Sequence, residues 1–87
     1  MVYVATCKFT GKQYVGTTKN RLLDRITGHR NDRNSALYQH WKSHYAILDF
    51  QEVFDFEILV QALPKMLRPL EKLLVERFRT KAKGLNR

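Results

Sequence analysis

The chain has 87 residues, 44% of them apolar and 28% charged, and sixteen Lys and Arg against eight Asp and Glu give a formal charge of +8. This composition suits one modest hydrophobic core, so a single intracellular domain over residues 1–87 is expected. It excludes a bilayer-crossing helix, because no apolar run approaches roughly 20 residues; the one cysteine, Cys7, excludes an internal disulfide and a Cys-rich zinc site.

Met1-Val2-Tyr3-Val4 has no basic stretch leading into a long apolar core, so it does not read as a signal peptide. Val2 to Thr6 is β-prone, Thr10-Gly11-Lys12 carries a turn signal, and Gln13-Tyr14-Val15-Gly16 returns as a second strand. The loop is longer than the two-residue ideal of a hairpin. Cys7 reads as a small apolar strand residue. A helix is expected from about Asn20 to His29, capped by Asn20 and weakened at its end by Gly28. Ser35 is placed to cap a second helix, in which Leu37, Trp41 and Tyr45 recur at helical spacing. From Val53 to Val60 the alternation puts Phe54, Phe56, Ile58 and Val60 on one face of a strand. A last helix is expected to begin near Pro69, to carry Leu70, Leu73, Leu74 and Phe78 toward the core, and to stop at Gly84. The order β-β-α-α-β-α is a mixed α/β (α+β) pattern. Its simplest packing is a small three-stranded, largely antiparallel sheet flanked by helices.

The basic balance favours a polyanionic partner, because neutralised phosphates release counterions. Several residues could act on such a partner. At about 100° per residue, Arg21, Arg25 and His29 fall along one stripe of the first helix, beside Leu22 and Ile26. A cation and an imidazole at the edge of a buried face can serve a phosphate and move a proton near neutral pH. A solvated basic helix gives the same pattern. On the last helix Glu71 falls about 100° from Leu70, inside the apolar arc, and Glu76 about 240° away, outside it. A core-facing carboxylate wants a partner, either a divalent cation or a salt bridge to a group such as Arg25. Tyr3 and Tyr14 lie on the two hairpin strands. A phenol titrates near about 10, so it is a poor base unless its phenolate is stabilised; ordinary packing is the other reading. His40 and His44 have metal-ligand spacing but no zincin glutamate or cysteine beside them, and read as surface or DNA-facing groups. Trp41 reads as core. The stretch from Arg77 to Lys83 either grips phosphates or is a solvated helix end.

Taken in order, Val2-Tyr3-Val4, Gly11-Lys12-Gln13-Tyr14-Val15-Gly16, Arg25 followed by His29, Glu71, and Leu85-Asn86 resemble the motifs of the GIY-YIG nucleases across essentially the whole chain. The first motif reads Met-Val-Tyr without its leading Gly, the second has Val15 in place of Ile, and the gap from Tyr14 to Arg25 is slightly long. The segment from Ser35 to His44 is similar to the endonuclease of Penelope-like retroelements; homing endonuclease domains are another branch that the chain resembles. The resemblance implies a metal-dependent DNA endonuclease. It assigns catalysis to Tyr3, Tyr14, Arg25, His29, Glu71 and Asn86, with Glu71 holding one Mg²⁺ or Mn²⁺. Arg25 would offset charge on the phosphorane, Tyr3 with His29 would activate water, Tyr14 would orient water, and Asn86 would position the site. DNA contacts are expected from Lys12, Lys19, Arg21, Arg30 and His40. Target specificity is expected from a partner or a further segment, because the motifs fill the chain. A catalytically silent nucleic-acid-binding module and a small basic RNA-binding protein are the alternatives; neither needs Glu71.

Overall fold

The structure, a computed structural model, describes residues 1–79 and 84–86. In chain order it contains β1 (Val2–Cys7), β2 (Gln13–Thr17), α1 (Leu22–Asn31), α2 (Ala36–His44), α3 (Phe50–Val53), β3 (Phe54–Val60) and α4 (Pro64–Phe78). The strands form one antiparallel sheet in the order β2-β1-β3. The expected small sheet with flanking helices is therefore present, with α3 as an added single turn.

The central strand sets the layers, because alternate side chains of β1 enter different cores. Val2 and Val4 pack with Val15 of β2 against Leu67 and Val75 of α4. Ala5 and Cys7 point the other way, where Leu37, Trp41, Phe50, Val53 and Phe54 close the second core. The hairpin loop is held by hydrogen bonds from Gly11 N to the Cys7 carbonyl and from Cys7 N to the Lys12 carbonyl, both 2.9 Å. Gly11 adopts φ +73°, a left-handed conformation that suits a residue without Cβ.

Several expected boundaries move. Arg21, not Asn20, precedes α1, because Asn20 N donates to Thr18 Oγ1 (3.0 Å) and belongs to the preceding turn. The helix also runs through Gly28 to Asn31. α4 starts at Pro64 rather than Pro69. Either proline suits a first turn, but Pro64 takes it, and Pro69 sits further in, without an N–H to donate. The buried stripe is consequently Leu67, Leu70, Leu74 and Val75, while Leu73 is 60% and Phe78 37% exposed. α4 ends at Phe78, with Arg79 at φ 55° and its N–H donated to the Glu76 and Val75 carbonyls. Gly84 is thus not its stop. The basic stretch continues through 80–83, outside the described residues.

β3 also departs from strict alternation. Ile58 lies opposite Tyr3, yet Val60 lies opposite Val2, so Leu59 is an extra residue in the ladder. Such a bulge turns the strand. Phe54 and Phe56 stay with the α2 core, whereas Leu59 and Val60 join the α4 core. Of the four apolar residues expected on one face, Phe54 and Phe56 therefore join one core, Val60 the other, and Ile58 stays exposed.

Candidate active site

Tyr3, on the central strand, is fully buried. Its ring lies over Gly16, the residue opposite it on β2. A Cβ at Gly16 would meet Tyr3 Oη at 2.5 Å and Tyr14 Cε1 at 2.8 Å. The absence of a side chain there lets two tyrosines from adjacent strands converge, with ring centroids 6.3 Å apart.

α1 brings two groups to this phenol. His29 Nε2 lies 2.6 Å from Tyr3 Oη, and Arg25 Nε donates to the same oxygen at 3.3 Å. Their four-residue spacing puts both on one helix face. His29 is itself buried, more deeply than an edge position implies. Its other nitrogen, Nδ1, lies 2.6 Å from Ser35 Oγ. Ser35 stands at the cap position of α2 but makes no side-chain capping bond; its hydroxyl serves His29 instead. Sequence reasoning gave Ser35 only the capping role. The missed signal is a buried-face histidine six positions upstream, which the turn between α1 and α2 folds back onto it.

Burial raises the proton affinity of the Tyr3 phenol, with the neighbouring Tyr14 adding to it; Arg25 acts in the opposite sense. Tyr14 is raised for the same leading reason and is likewise opposed by Arg25. Burial, followed by the charge of Arg25, lowers His29 to about 4. At neutral pH the pair is therefore a protonated phenol beside a neutral imidazole.

Glu71 approaches from α4. It occupies the apolar stripe, half-buried, and its Oε2 accepts a hydrogen bond from Thr17 Oγ1 (3.2 Å) at the end of β2. Its charge acts on both Tyr3 and Tyr14. The ion pair to Arg25 considered from sequence is absent: among the described residues, only Lys8 and Asp55 form a salt bridge. Glu76 is exposed. Among the described residues no three His, Cys, Asp or Glu side chains gather as a metal-binding group. A half-buried carboxylate with no counter-cation among the described residues fits one hard cation, whose remaining positions water can fill.

Asn86 works on the backbone. Its Oδ1 accepts from Val15 N (2.7 Å) and its Nδ2 donates to the Val15 carbonyl (2.9 Å). Leu85 N donates to the Gln13 carbonyl (2.8 Å). Residues 85–86 thus cover the free edge of β2 on both sides of Tyr14. A cavity of about 340 Å³ opens here, lined by Tyr14, Arg25, His29, Ser35 and Asn86, with Asp32 at its wall.

Lys12, Lys19, Arg21 and Arg30 are exposed, as contacts to a polyanion require. His40 is not: it is 9% exposed, with Nε2 3.3 Å from the buried Cys7 Sγ, and burial lowers its proton affinity. It belongs to the core edge rather than to a DNA-facing surface. The reason is that Ala5, Cys7 and Phe54 draw that face of α2 inward.

A family model described as the GIY-YIG catalytic domain matches residues 1–86. No curated protein and no solved structure gives a significant match.

Proposed function

Since the chain belongs to the GIY-YIG family, a family of nucleases, over residues 1–86, we propose that it is a divalent-metal-dependent endonuclease that hydrolyses phosphodiester bonds in DNA. The observation that carries this reading is the chain Arg25–Tyr3–His29–Ser35, joined by contacts of 3.3, 2.6 and 2.6 Å beside a cavity open to solvent.

In this reading Nδ1–H of His29 donates to Ser35, which fixes the tautomer whose Nε2 accepts the Tyr3 proton. Water attacking phosphorus must reach Tyr3 Oη, which lies buried behind the cavity wall formed by Tyr14, Arg25 and His29; it then gives its proton to that oxygen as the Tyr3 proton passes to His29. Arg25 donates to the same oxygen and steadies the negative charge that passes through it. An anionic phosphate beside His29 opposes the effect of Arg25 and raises the imidazole's proton affinity, which favours the transfer. The guanidinium of Arg25 also offsets the charge that grows on the phosphorane as the bond to the leaving sugar oxygen breaks. Tyr14 orients water in the cavity. Asn86 is a positioning residue that holds the Tyr14–Gly16 backbone in place. Glu71 would hold one Mg²⁺ or Mn²⁺, which when bound polarises the phosphate and stabilises the leaving oxygen.

Incubation with supercoiled plasmid tests the proposal. Mg²⁺ or Mn²⁺ should give relaxed or linear product and EDTA should prevent it. Cleavage indifferent to the chelator would refute the metal requirement. Binding without cleavage under either cation would leave a silent binding module.

A further inference from the structure

A second cavity, of about 500 Å³, lies where the end of β2 and the loop after it face the first turns of α4. Thr17, Thr18 and Lys19 form one wall, and Lys65, Leu67 and Arg68 the other. Lys19, Lys65 and Arg68 are cations, no carboxylate lines the cavity, and none of the three forms an ion pair among the described residues. Like charges around one hollow repel, and an anion between them relieves that repulsion. Pro64 and Leu67 are its two apolar lining residues, and the other five are threonines or cations.

The chemistry of the walls suits a phosphate. A guanidinium presents a planar fork to phosphate oxygens, and ammonium groups add point charge. Thr18 Oγ1 accepts from Asn20 N, which leaves its own hydrogen to be donated. Thr18 N is anchored on the Met1 carbonyl (3.1 Å), so this wall is held in place before any ligand arrives. Position selects the kind of phosphate. Thr17, in the wall, donates to Glu71 Oε2, so the hollow adjoins the carboxylate assigned to the cutting site. A strand that places one phosphate by Arg25 and Glu71 carries neighbouring phosphates within reach of it.

We propose that this hollow is a second phosphate subsite, which grips a phosphodiester of the DNA strand flanking the one that is cut. The proposal rests on the nuclease reading, and its test separates the two. Labelled duplex is titrated with the full chain in EDTA over a range of salt concentrations, where no cleavage contributes. The variant Lys65→Ala/Arg68→Ala is compared with Lys8→Ala/Lys42→Ala, which loses the same charge elsewhere; Lys8 lies just beyond the opposite end of β1. Both residues of the first pair are exposed, so the fold should survive, as circular dichroism will show. The subsite pair should weaken binding roughly tenfold beyond the control and reduce the salt slope by about 1 per cation removed. In plasmid cleavage it should raise KM and leave kcat within about twofold. Equal affinity and slope in the two variants would overturn the proposal, as would a fall in kcat with binding unchanged. A parent chain that binds but never nicks would sink the nuclease reading alone, because the comparison in EDTA stands without it.

Discussion

Gly16→Ala probes the convergence of the two tyrosines most directly. The added methyl would lie 2.5 Å from Tyr3 Oη, 2.7 Å from Tyr3 Cζ and 2.8 Å from Tyr14 Cε1. Comfortable contact needs about 3.5 Å, so the phenol must retreat by about 1 Å. Tyr3 is fully buried and cannot swing into solvent. Its 2.6 Å contact with His29 is therefore the one that yields. Overpacking of this kind costs about 1–3 kcal/mol, and each kcal/mol lowers Tm by roughly 4–8 °C in a domain of this size. A displacement of about 1 Å at the reacting group should slow cleavage roughly 10²-fold. Single-turnover plasmid cleavage, thermal melting and DNA titration in EDTA measure the three quantities, and binding should be nearly unchanged. Gly28→Ala is the control: its Cβ meets nothing within 4 Å inside α1, so stability should rise by about 0.4–1 kcal/mol without loss of cutting. In a Tyr3→Phe background, Gly16→Ala should add little to the rate loss already present. A Gly16→Ala protein that cuts within a few-fold of the parent would refute Tyr3 as the group that handles the proton.

Ser35→Ala leaves His29 Nδ1 without its partner and should cost about 1–3 kcal/mol in melting experiments; it should also lower kcat more than it raises KM, with Ser35→Thr restoring most of the activity. Unchanged kcat would reduce Ser35 to a packing residue. Glu71→Gln should abolish nicking and leave the circular dichroism spectrum and DNA binding intact, whereas Glu76→Gln, on the exposed side of α4, should stay within a few-fold of the parent; parent-rate cutting by Glu71→Gln would remove the carboxylate from the mechanism. His29 titrates at about 4 when folded and near about 6.5 when unfolded, so the unfolded chain takes up the proton first. Its contribution to stability is present above pH 6.5 and is lost as pH falls toward 4; Tm should drop through that window in the parent and drop less in His29→Gln.

The hairpin and the face of Glu71 were legible because both follow from short-range geometry. Alternation in β1 sends Val2 and Val4 one way and Ala5 and Cys7 the other. The projection around α4 keeps Glu71 beside Leu70 and Leu74 even though the helix starts at Pro64, since a shift of origin does not rotate the stripe. Other features depend on contacts distant in sequence. The bulge at Leu59 exists only in the ladder with β1, so β3 alone looked regular. Ser35 carried an ordinary capping signal that its hydroxyl does not use. His40 carries no local signal of burial beyond its neighbour Trp41, yet a cysteine 33 residues earlier receives it in the core. Leu73 and Phe78 looked like core by composition, but the sheet offers that side of α4 no surface.

The clasp of Asn86 on Val15 joins positions 71 residues apart in the chain. A translation product that stopped short of Leu85 would already contain Tyr3, Tyr14, Arg25, His29 and Glu71, but its second strand would show an unpaired rim to solvent. Such a rim invites pairing with another chain instead of holding Tyr14 still. Closure of that strand edge thus waits for residues the ribosome delivers after Tyr3, Tyr14, Arg25, His29 and Glu71, so the end of the chain completes a strand laid down near its start.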